Sequence, residues 1–110
     1  MKYSIEVDEG YVSLLEVLIE ALNQAQFGKG KRRHGKDGLP FTRQKIINIP
    51  NSMDDPKSFG LIFQACKKLQ EGQRLSKDAR IRERYGAIIY IAASILRALN
   101  GEEYDNQSSD

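Results

Sequence analysis

The chain is poor in the residues that build covalent and metal frameworks. Its 110 residues include one cysteine, one histidine and three prolines. A single cysteine, Cys66, excludes an internal disulfide and fits a reducing compartment, so we expect a cytoplasmic protein. One histidine and one cysteine do not make a common zinc site without several carboxylates, and we predict no metal, no cofactor and no catalytic residue. No apolar run approaches the ~20 residues that span a bilayer, so we expect no membrane partner.

The overall composition is that of an ordinary globular domain. The apolar fraction is 40% and the charged fraction is 29%, both typical of soluble proteins. We predict a single helical domain over residues 1–101 and a disordered acidic tail over residues 102–110. The formal net charge of +2 is too small to indicate a nucleic-acid partner, so only the distribution of charge along the chain is informative.

Apolar residues recur at helical spacing in three stretches, which predicts an all-α fold, a small bundle of three main helices. The first helix is predicted over residues 10–27, with Asp8 as its cap. The second is predicted over residues 56–71, with Asp55 as N-cap and Pro56 as the first helical residue. Cys66 lies on the apolar stripe of this helix and is expected to be a buried small hydrophobe. The three predicted helices are numbered α1, α2 and α3 in chain order. The stripe, hereafter the α2 stripe, comprises Phe59, Ile62, Phe63, Cys66 and Leu69.

The third helix is predicted over residues 77–99, with Ser76 as its cap and Asn100 and Gly101 at its end. Along it, apolar residues alternate four and three apart, which is the spacing of a helix that packs along its whole length against a partner helix. One interpretation is the central helix of a small bundle, and the other is that part of it faces another subunit. We expect a homo-oligomer through this helix. The alternating residues, hereafter the α3 seam, are Ile81, Tyr85, Ile88, Ala92, Ile95 and Leu99.

Positive charge is concentrated in residues 27–45, FGKGKRRHGKDGLPFTRQK. The segment holds seven basic residues against one acid, Asp37, so its formal charge is +6 and the rest of the chain carries −4. Its four glycines let backbone N–H groups approach an anion, and its arginines supply planar forks of donors. We predict a long basic glycine-rich loop between the first two helices that binds an anionic ligand. The alternative is a solvated charge run that binds nothing.

The candidate binding residues of this loop divide by chemistry. The lysines and arginines can neutralise phosphates, His34 can donate or accept a hydrogen bond near neutral pH, and Phe41 can stack on a base. Arg43 and Gln44 carry donors and acceptors that suit a base edge. The segment is not a P-loop, because GKGKRRHG lacks the terminal Lys-Ser/Thr. The predicted loop site comprises Lys29, Lys31, Arg32, Arg33, His34, Phe41, Arg43 and Gln44.

A second basic cluster lies at the end of the second helix and the start of the third. It is interleaved with acids, so helix faces with local ion pairs are the simpler interpretation. The turn between these helices can also approach the basic loop of the same or a neighbouring chain. Arg74 and Arg80 are then the candidates that complete a pocket, because arginine makes bidentate phosphate contacts. The cluster comprises Lys67, Lys68, Arg74, Lys77, Arg80, Arg82 and Arg84.

One carboxylate pair suggests catalysis. Glu16 and Glu20 lie four apart on the first predicted helix and can share a metal ion. Helical pyrophosphohydrolases of the MazG type hold magnesium with ExxE and ExxD helix pairs, whereas the spacing here is ExxxE and no ExxD follows on a later predicted helix. We therefore expect that the protein is not an enzyme. A magnesium-dependent nucleotide pyrophosphohydrolase is kept as an alternative that ranks below two binding hypotheses.

The run GKGKRRHGKDGLPF, followed by FQACKKLQEGQRL and RERYGAIIYIAASILRAL, resembles a set of small phage proteins. In these a GKGxxRH…PF segment precedes two helices that end in an apolar, alanine-rich stretch, and the resemblance covers residues 21–99. The general plan is also similar to phage sponge proteins that counter CBASS and Thoeris defence. Those are small helical oligomers that bind cyclic nucleotide signals at basic pockets between subunits without cleaving them. The similarity of plan implies a location in the host cytosol and carries over no residue roles.

Two binding hypotheses follow from the basic loop. The first is a small helical oligomer that binds and sequesters a nucleotide-type phosphorylated signal without cleavage, as an anti-defence protein. The second is an accessory factor that binds nucleic acid or a host protein. A nucleic-acid surface predicts an affinity that falls linearly with the logarithm of salt concentration, because phosphate contacts release counterions.

Overall fold

The structure, a computed structural model, describes residues 1–28, 38–47 and 55–103. Within these residues no strand occurs, so the predicted all-α fold is confirmed. The described residues form three long helices, as predicted: α1, Val12–Phe27; α2, Phe59–Gly72; and α3, Lys77–Leu99. Two 3₁₀ turns accompany them, at Glu9–Tyr11 and at Phe41–Arg43.

The boundaries of α3 are those that its flanking residues predict. The helix begins after Ser76, whose hydroxyl accepts a hydrogen bond from the Ala79 N–H at 3.4 Å. Gly101 follows its C-terminus with φ +75°, a left-handed conformation that glycine adopts without a Cβ clash. The prediction of a helix over residues 77–99 is therefore confirmed.

The start of α2 differs from the prediction. Pro56 lies in a turn, and the N-cap position is Ser58, whose φ of +57° is left-handed. Asp55 nevertheless caps the helix, because its carboxylate accepts hydrogen bonds from the N–H groups of Phe59, at 2.9 Å, and Gly60. The predictions of Asp55 as the N-cap residue and of Pro56 as the first helical residue are therefore wrong. The Asp55 carboxylate still accepts from the first free N–H groups, because the turn folds it back over the helix start.

The start of α1 also departs from the prediction. Asp8 forms no side-chain cap bond, and its carbonyl accepts a hydrogen bond from the Tyr11 N–H at 2.9 Å within the 3₁₀ turn. The predicted cap at Asp8 is therefore wrong. At the other end, the Gly28 N–H donates to the Gln24 carbonyl at 3.1 Å. A Cβ at Gly28 would lie 3.0 Å from that carbonyl oxygen, so this close approach favours glycine.

α3 is the central helix, with α2 antiparallel along it and α1 packed on it at a separate contact. Two glycines allow α2 and α3 to approach closely: a Cβ at Gly86 would lie 3.1 Å from Lys68 Cδ, and one at Gly72 would lie 3.4 Å from Glu83 Cβ. The Lys68 ammonium bridges the two helices. It lies 3.2 Å from the Glu83 carboxylate and 5.8 Å from the centroid of the Tyr90 ring, whose face attracts a cation.

The core is small and centres on α3. Ile46 and Ile47, in a helical turn before α2, are 1% and 2% exposed and close one side of it. Tyr90 is buried and Tyr85 is half-buried. Few of the core side chains are large. The buried hydrophobic residues are Ala21, Ile46, Ile47, Leu61, Ala65, Ala87, Ile89, Tyr90 and Ala93.

The α2 stripe faces away from the core, which corrects the prediction for Cys66. α2 turns Leu61, Ala65 and Gly72 towards the core, and the small residues Ala65 and Gly72 let the two helix axes approach. Cys66 is exposed, and Phe59 and Phe63 are 63% and 64% exposed. The five residues of the stripe do lie on one face of α2, as their spacing predicts. The described residues of this chain leave that face uncovered.

A single buried arginine joins the start of α2 to the end of α3. Arg97 is 1% exposed, and its Nε donates to the hydroxyl of the fully buried Ser58 at 2.7 Å. Its guanidinium also donates to the carbonyls of Ile47, at 3.5 Å, and Glu102, at 3.0 Å. The Glu102 carboxylate lies 3.4 Å from Nη1. Glu102 belongs to the predicted tail and is held here, and residues 104–110 lie outside the described residues.

The three helices leave a large apolar area uncovered. α1 buries one residue, Ala21. Among the described residues, no helix is both long and apolar enough to cross a bilayer. The large exposed apolar side chains of the long helices are Val12, Leu14, Val17, Leu18, Ile19, Leu22, Phe27, Phe59, Ile62, Phe63, Leu69, Ile91, Ile95 and Leu99.

Candidate functional site

The predicted ligand site is only partly covered by the described residues. From Gly38 onwards the structure describes the segment that follows the most basic run, up to residue 47. Three of the predicted site residues, Phe41, Arg43 and Gln44, lie in this stretch. Five others lie outside the described residues: Lys29, Lys31, Arg32, Arg33 and His34.

A cavity of about 380 Å³ lies between the C-terminal half of α1 and residues 38–44. Phe41 and Gln44, both predicted site residues, line it together. Its wall is mainly apolar, with two side-chain amides that can donate and accept hydrogen bonds. The lining residues are Leu22, Ala25, Gln26, Gly38, Leu39, Phe41 and Gln44.

Local backbone hydrogen bonds hold this wall in place. Gly38 has φ +70°, so the chain turns there in a conformation that disfavours other residues. The Pro40 carbonyl accepts a hydrogen bond from the Arg43 N–H at 2.8 Å, which closes the 3₁₀ turn. The Gln44 side-chain amide donates to the Leu39 carbonyl at 3.0 Å. The amide of Gln44 is therefore oriented by its own loop, while Arg43 remains exposed.

Phe41 belongs to both the cavity and the fold. Its half-buried ring packs against the hydrophobic core and also lines the cavity. Part of the ring is therefore committed to packing, and the remainder faces the open volume. Its neighbours Ile46 and Ile47 are buried, which fixes the loop on the core at a point close to the cavity.

Arg74 and Arg80 lie apart from this cavity, near the turn between α2 and α3, and neither belongs to its described lining. Arg74 is exposed. Arg80 is half-buried, and its Nη1 donates to the Leu75 carbonyl at 3.4 Å. Its guanidinium therefore closes the interhelix turn. The described contacts thus do not join these two arginines to Phe41.

The simpler interpretation of the second basic cluster is confirmed for two of its lysines. Lys67 lies 3.9 Å from Glu71 one turn along α2, and both side chains are more than half exposed. Lys68 lies 3.2 Å from Glu83 across the helix contact, where both side chains are mostly buried. The first pair contributes little to stability because solvent screens it. The second is part of the packing between α2 and α3.

The two carboxylates of the hydrolase hypothesis lie on α1. Glu16 and Glu20 are both exposed. In the part of the chain that the structure describes, no three side chains of histidine, cysteine, aspartate or glutamate are grouped so that they could hold a metal ion.

A second concavity, hereafter the N-terminal groove, was not predicted from the sequence. It measures about 480 Å³ and lies between the extended N-terminal segment and α1. Its floor is apolar, and the acids Glu6 and Asp8 lie among its lining residues. The sequence does show an apolar face on the first helix. The spacing of its residues is the same whether that face packs in the core or lines a groove. The lining residues are Ile5, Glu6, Val7, Asp8, Tyr11, Leu14, Leu15 and Leu18.

The chain matches no family model, no curated protein and no solved structure. Two features bear on a ligand. One is the cavity between α1 and residues 38–44, and the other is the basic segment, residues 28–37, which precedes Gly38 in the sequence.

Proposed function

We propose that this protein is a small helical oligomer that binds a nucleotide-type phosphorylated ligand and sequesters it without cleavage. The proposal joins two adjacent features. The basic segment supplies the phosphate contacts, with Arg32 and Arg33 as the central donors. The cavity beside α1 accepts the base, with Phe41 stacking on it and Gln44 hydrogen-bonding its edge. A role as an anti-defence sponge rests on the resemblance in plan to the phage proteins.

The observation that carries the proposal is the cavity where the basic segment ends. Gly38 lines the cavity and directly follows the run of residues 28–37, which carries five basic residues and one acid. A volume of about 380 Å³ falls in the range of small-molecule sites. An aromatic ring beside side-chain amides is the chemistry that proteins use for single bases, through stacking and hydrogen bonds to base edges.

The oligomer is proposed to form through the α3 seam. Ile95 and Leu99 are 54% and 75% exposed, and Ala92 is exposed between them. Helical geometry puts this seam on the side of α3 opposite Tyr90 and Arg97, which are buried. An unbroken heptad spacing with an exposed apolar edge favours pairing with a second helix of the same kind.

We expect Ile95→Asp to lower the mass of the oligomer without unfolding the subunit. The new carboxylate would lie inside the helix pair without a partner, and burying such a group costs several kcal/mol. The dissociation constant should therefore rise by about a hundredfold or more. Light scattering over a concentration series gives the mass, and circular dichroism reports the helical content.

Ala98→Asp is the matched control for this substitution. It puts the same charge on the last turn of α3, at an exposed position outside the seam. It should keep the mass of the unmodified protein. An unchanged mass for Ile95→Asp, or equal losses for both variants, would exclude pairing through the seam.

The ligand is tested by capture and identification. Purified protein is mixed with cyclic dinucleotides, cyclic trinucleotides and cyclic ADP-ribose variants in the presence of magnesium. Free ligand is removed by filtration, the protein is heat-denatured, and the released molecules are identified by mass spectrometry. We expect intact ligand in stoichiometric amount, because the proposal includes binding and no turnover.

The other outcomes of the capture experiment identify the alternatives. A cleaved product would replace the proposal with the hydrolase hypothesis, and Glu16→Gln and Glu20→Gln would then test the glutamates. No captured ligand would also overturn the proposal. DNA and RNA binding across a salt series would then be measured, since phosphate-backbone contacts give a steep linear dependence on log salt.

A further inference from the structure

We infer that the N-terminal groove of one chain receives the α2 stripe of a second copy of this chain. This contact is separate from the α3 seam and does not involve the ligand. Each of its two surfaces is complete within one subunit, and each is left uncovered by the described residues of its own chain.

The two surfaces match in polarity. The groove is a shallow, open apolar surface, and Leu14 and Leu18 on its floor are 54% and 47% exposed. The α2 stripe is a convex row in which Phe59 and Phe63 stand one turn apart on the same face. Two exposed aromatic rings on one helix are the anchors that an apolar helix-binding groove accepts. Cys66 lies one turn further along the same stripe.

The charges around the two surfaces are opposite in sign. Glu6 and Asp8 line the groove, and no basic residue is among its lining residues. Lys57 and Lys67 lie beside the α2 stripe in the sequence, and Lys67 is exposed. Two grooves would therefore repel each other, whereas the groove of one copy attracts the lysines beside the α2 stripe of another. Such complementarity favours the mixed contact over groove-to-groove or stripe-to-stripe pairing.

The apolar side chains on the two surfaces are widely exposed. Leu14 and Leu18 in the groove and Phe59 and Phe63 on the α2 stripe are between 47% and 64% exposed. Because α1 buries only Ala21 within its own chain, a partner on its apolar face also accounts for a helix that its own subunit barely covers.

Cysteine cross-linking tests the contact directly, because Cys66 is the only cysteine and is exposed on the α2 stripe. A second cysteine is introduced in the groove, as Leu14→Cys or Leu18→Cys, and the ligand-free protein is oxidised at low concentration. A disulfide needs Cα atoms within about 7 Å of each other. We expect at least one of these variants to form a covalent dimer on a non-reducing gel.

Matched variants on the opposite face of α1 provide the control. Glu16→Cys and Glu20→Cys are equally exposed but point away from the groove, so they should remain monomeric on the gel. The groove cysteines in a Cys66→Ala background should also remain monomeric, which shows that the bridge joins α1 to α2. We expect the same cross-linking results when Ile95→Asp is added to each variant. The result of the test therefore does not depend on pairing through the α3 seam.

Four outcomes would overturn the inference. The first is the absence of a covalent dimer for both groove cysteines. The second is equal cross-linking of Glu16→Cys or Glu20→Cys. The third is a Cys66 to Cys66 bridge in the unmodified protein, which would indicate pairing of two α2 stripes. The fourth is a bridge within one chain, detected as a monomer of altered mobility, which would show that the stripe covers its own α1.

Discussion

Replacing Arg97 with leucine is expected to lower the free energy of unfolding by about 2–4 kcal/mol, because each buried acceptor that is left without a donor costs about 1–3 kcal/mol. The guanidinium donates to the Ser58 hydroxyl and to the carbonyls of Ile47 and Glu102, and it is 1% exposed. Leucine fills part of the space but donates no hydrogen bond, so these acceptors lose a donor where water has little access.

Urea denaturation followed by circular dichroism measures this loss, with the midpoint and slope fitted together. Arg84→Leu is the matched control, because Arg84 is exposed on the same helix and should change stability by less than about 0.5 kcal/mol. Arg97→Lys keeps the charge but loses the planar fork of donors, so it should fall between the two. A loss below about 1 kcal/mol for Arg97→Leu would mean that the buried network contributes little to stability.

The second large effect concerns the ligand. Replacing Arg32 and Arg33 together with alanine should weaken binding of the captured nucleotide by at least about a hundredfold, because each arginine contributes a charge-assisted hydrogen bond of about 1.5–3 kcal/mol. Calorimetric titration with the identified ligand gives the affinity. The helical content should be unchanged, since neither residue belongs to α1, α2 or α3.

Two further variants sharpen this test. Lys2→Ala with Lys67→Ala removes the same charge from exposed positions outside the proposed site and should leave binding intact. Phe41→Leu keeps an apolar side chain against the core but loses the stacking surface, which is worth about 1–3 kcal/mol per base. Normal binding by the arginine double variant would contradict the assignment of the phosphate contacts. Normal binding by Phe41→Leu would contradict the placement of the base in the cavity.

The helices were predictable because local chemistry determines where they begin and end. Ser76 and Gly101 bracket α3, and both act through contacts or backbone angles within a few residues. Asp55 was predictable as a capping residue for the same reason. The start of α2 was not, because the left-handed Ser58 that displaces it is stabilised by Arg97, 39 residues away. Sequence patterns carry no direct record of a contact at that distance.

The facing of α2 was not predictable from periodicity. Its larger apolar residues form the α2 stripe, which the pattern assigns to the core. The structure instead buries the face that carries Leu61, Ala65 and Gly72, where the small side chains of Ala65 and Gly72 let α2 approach α3 closely. A helix with apolar residues on two faces needs a packing partner for each face. The sequence pattern does not show which of these faces packs within the same chain.

The candidate site was predictable in part. Phe41 and Gln44 were identified from residue type and do line one cavity. The α1 wall of that cavity was not identified, because Leu22 and Ala25 have the spacing of core residues. Arg97 was missed although the sequence carries a signal for it: it is the only charged residue between Gly86 and Leu99. A lone charge in an apolar helix is retained where it has buried partners.

α1 also bears on how the protein unfolds. A helix of 16 residues is marginal in water by itself, and most helical stability comes from tertiary packing. With Ala21 as its only buried residue, α1 is expected to open first, at a free energy below that of global unfolding. In the proposed assembly, dilution that separates subunits would speed hydrogen exchange in α1 while α2 and α3 stay protected. Subunit concentration would then set the folded fraction of this helix.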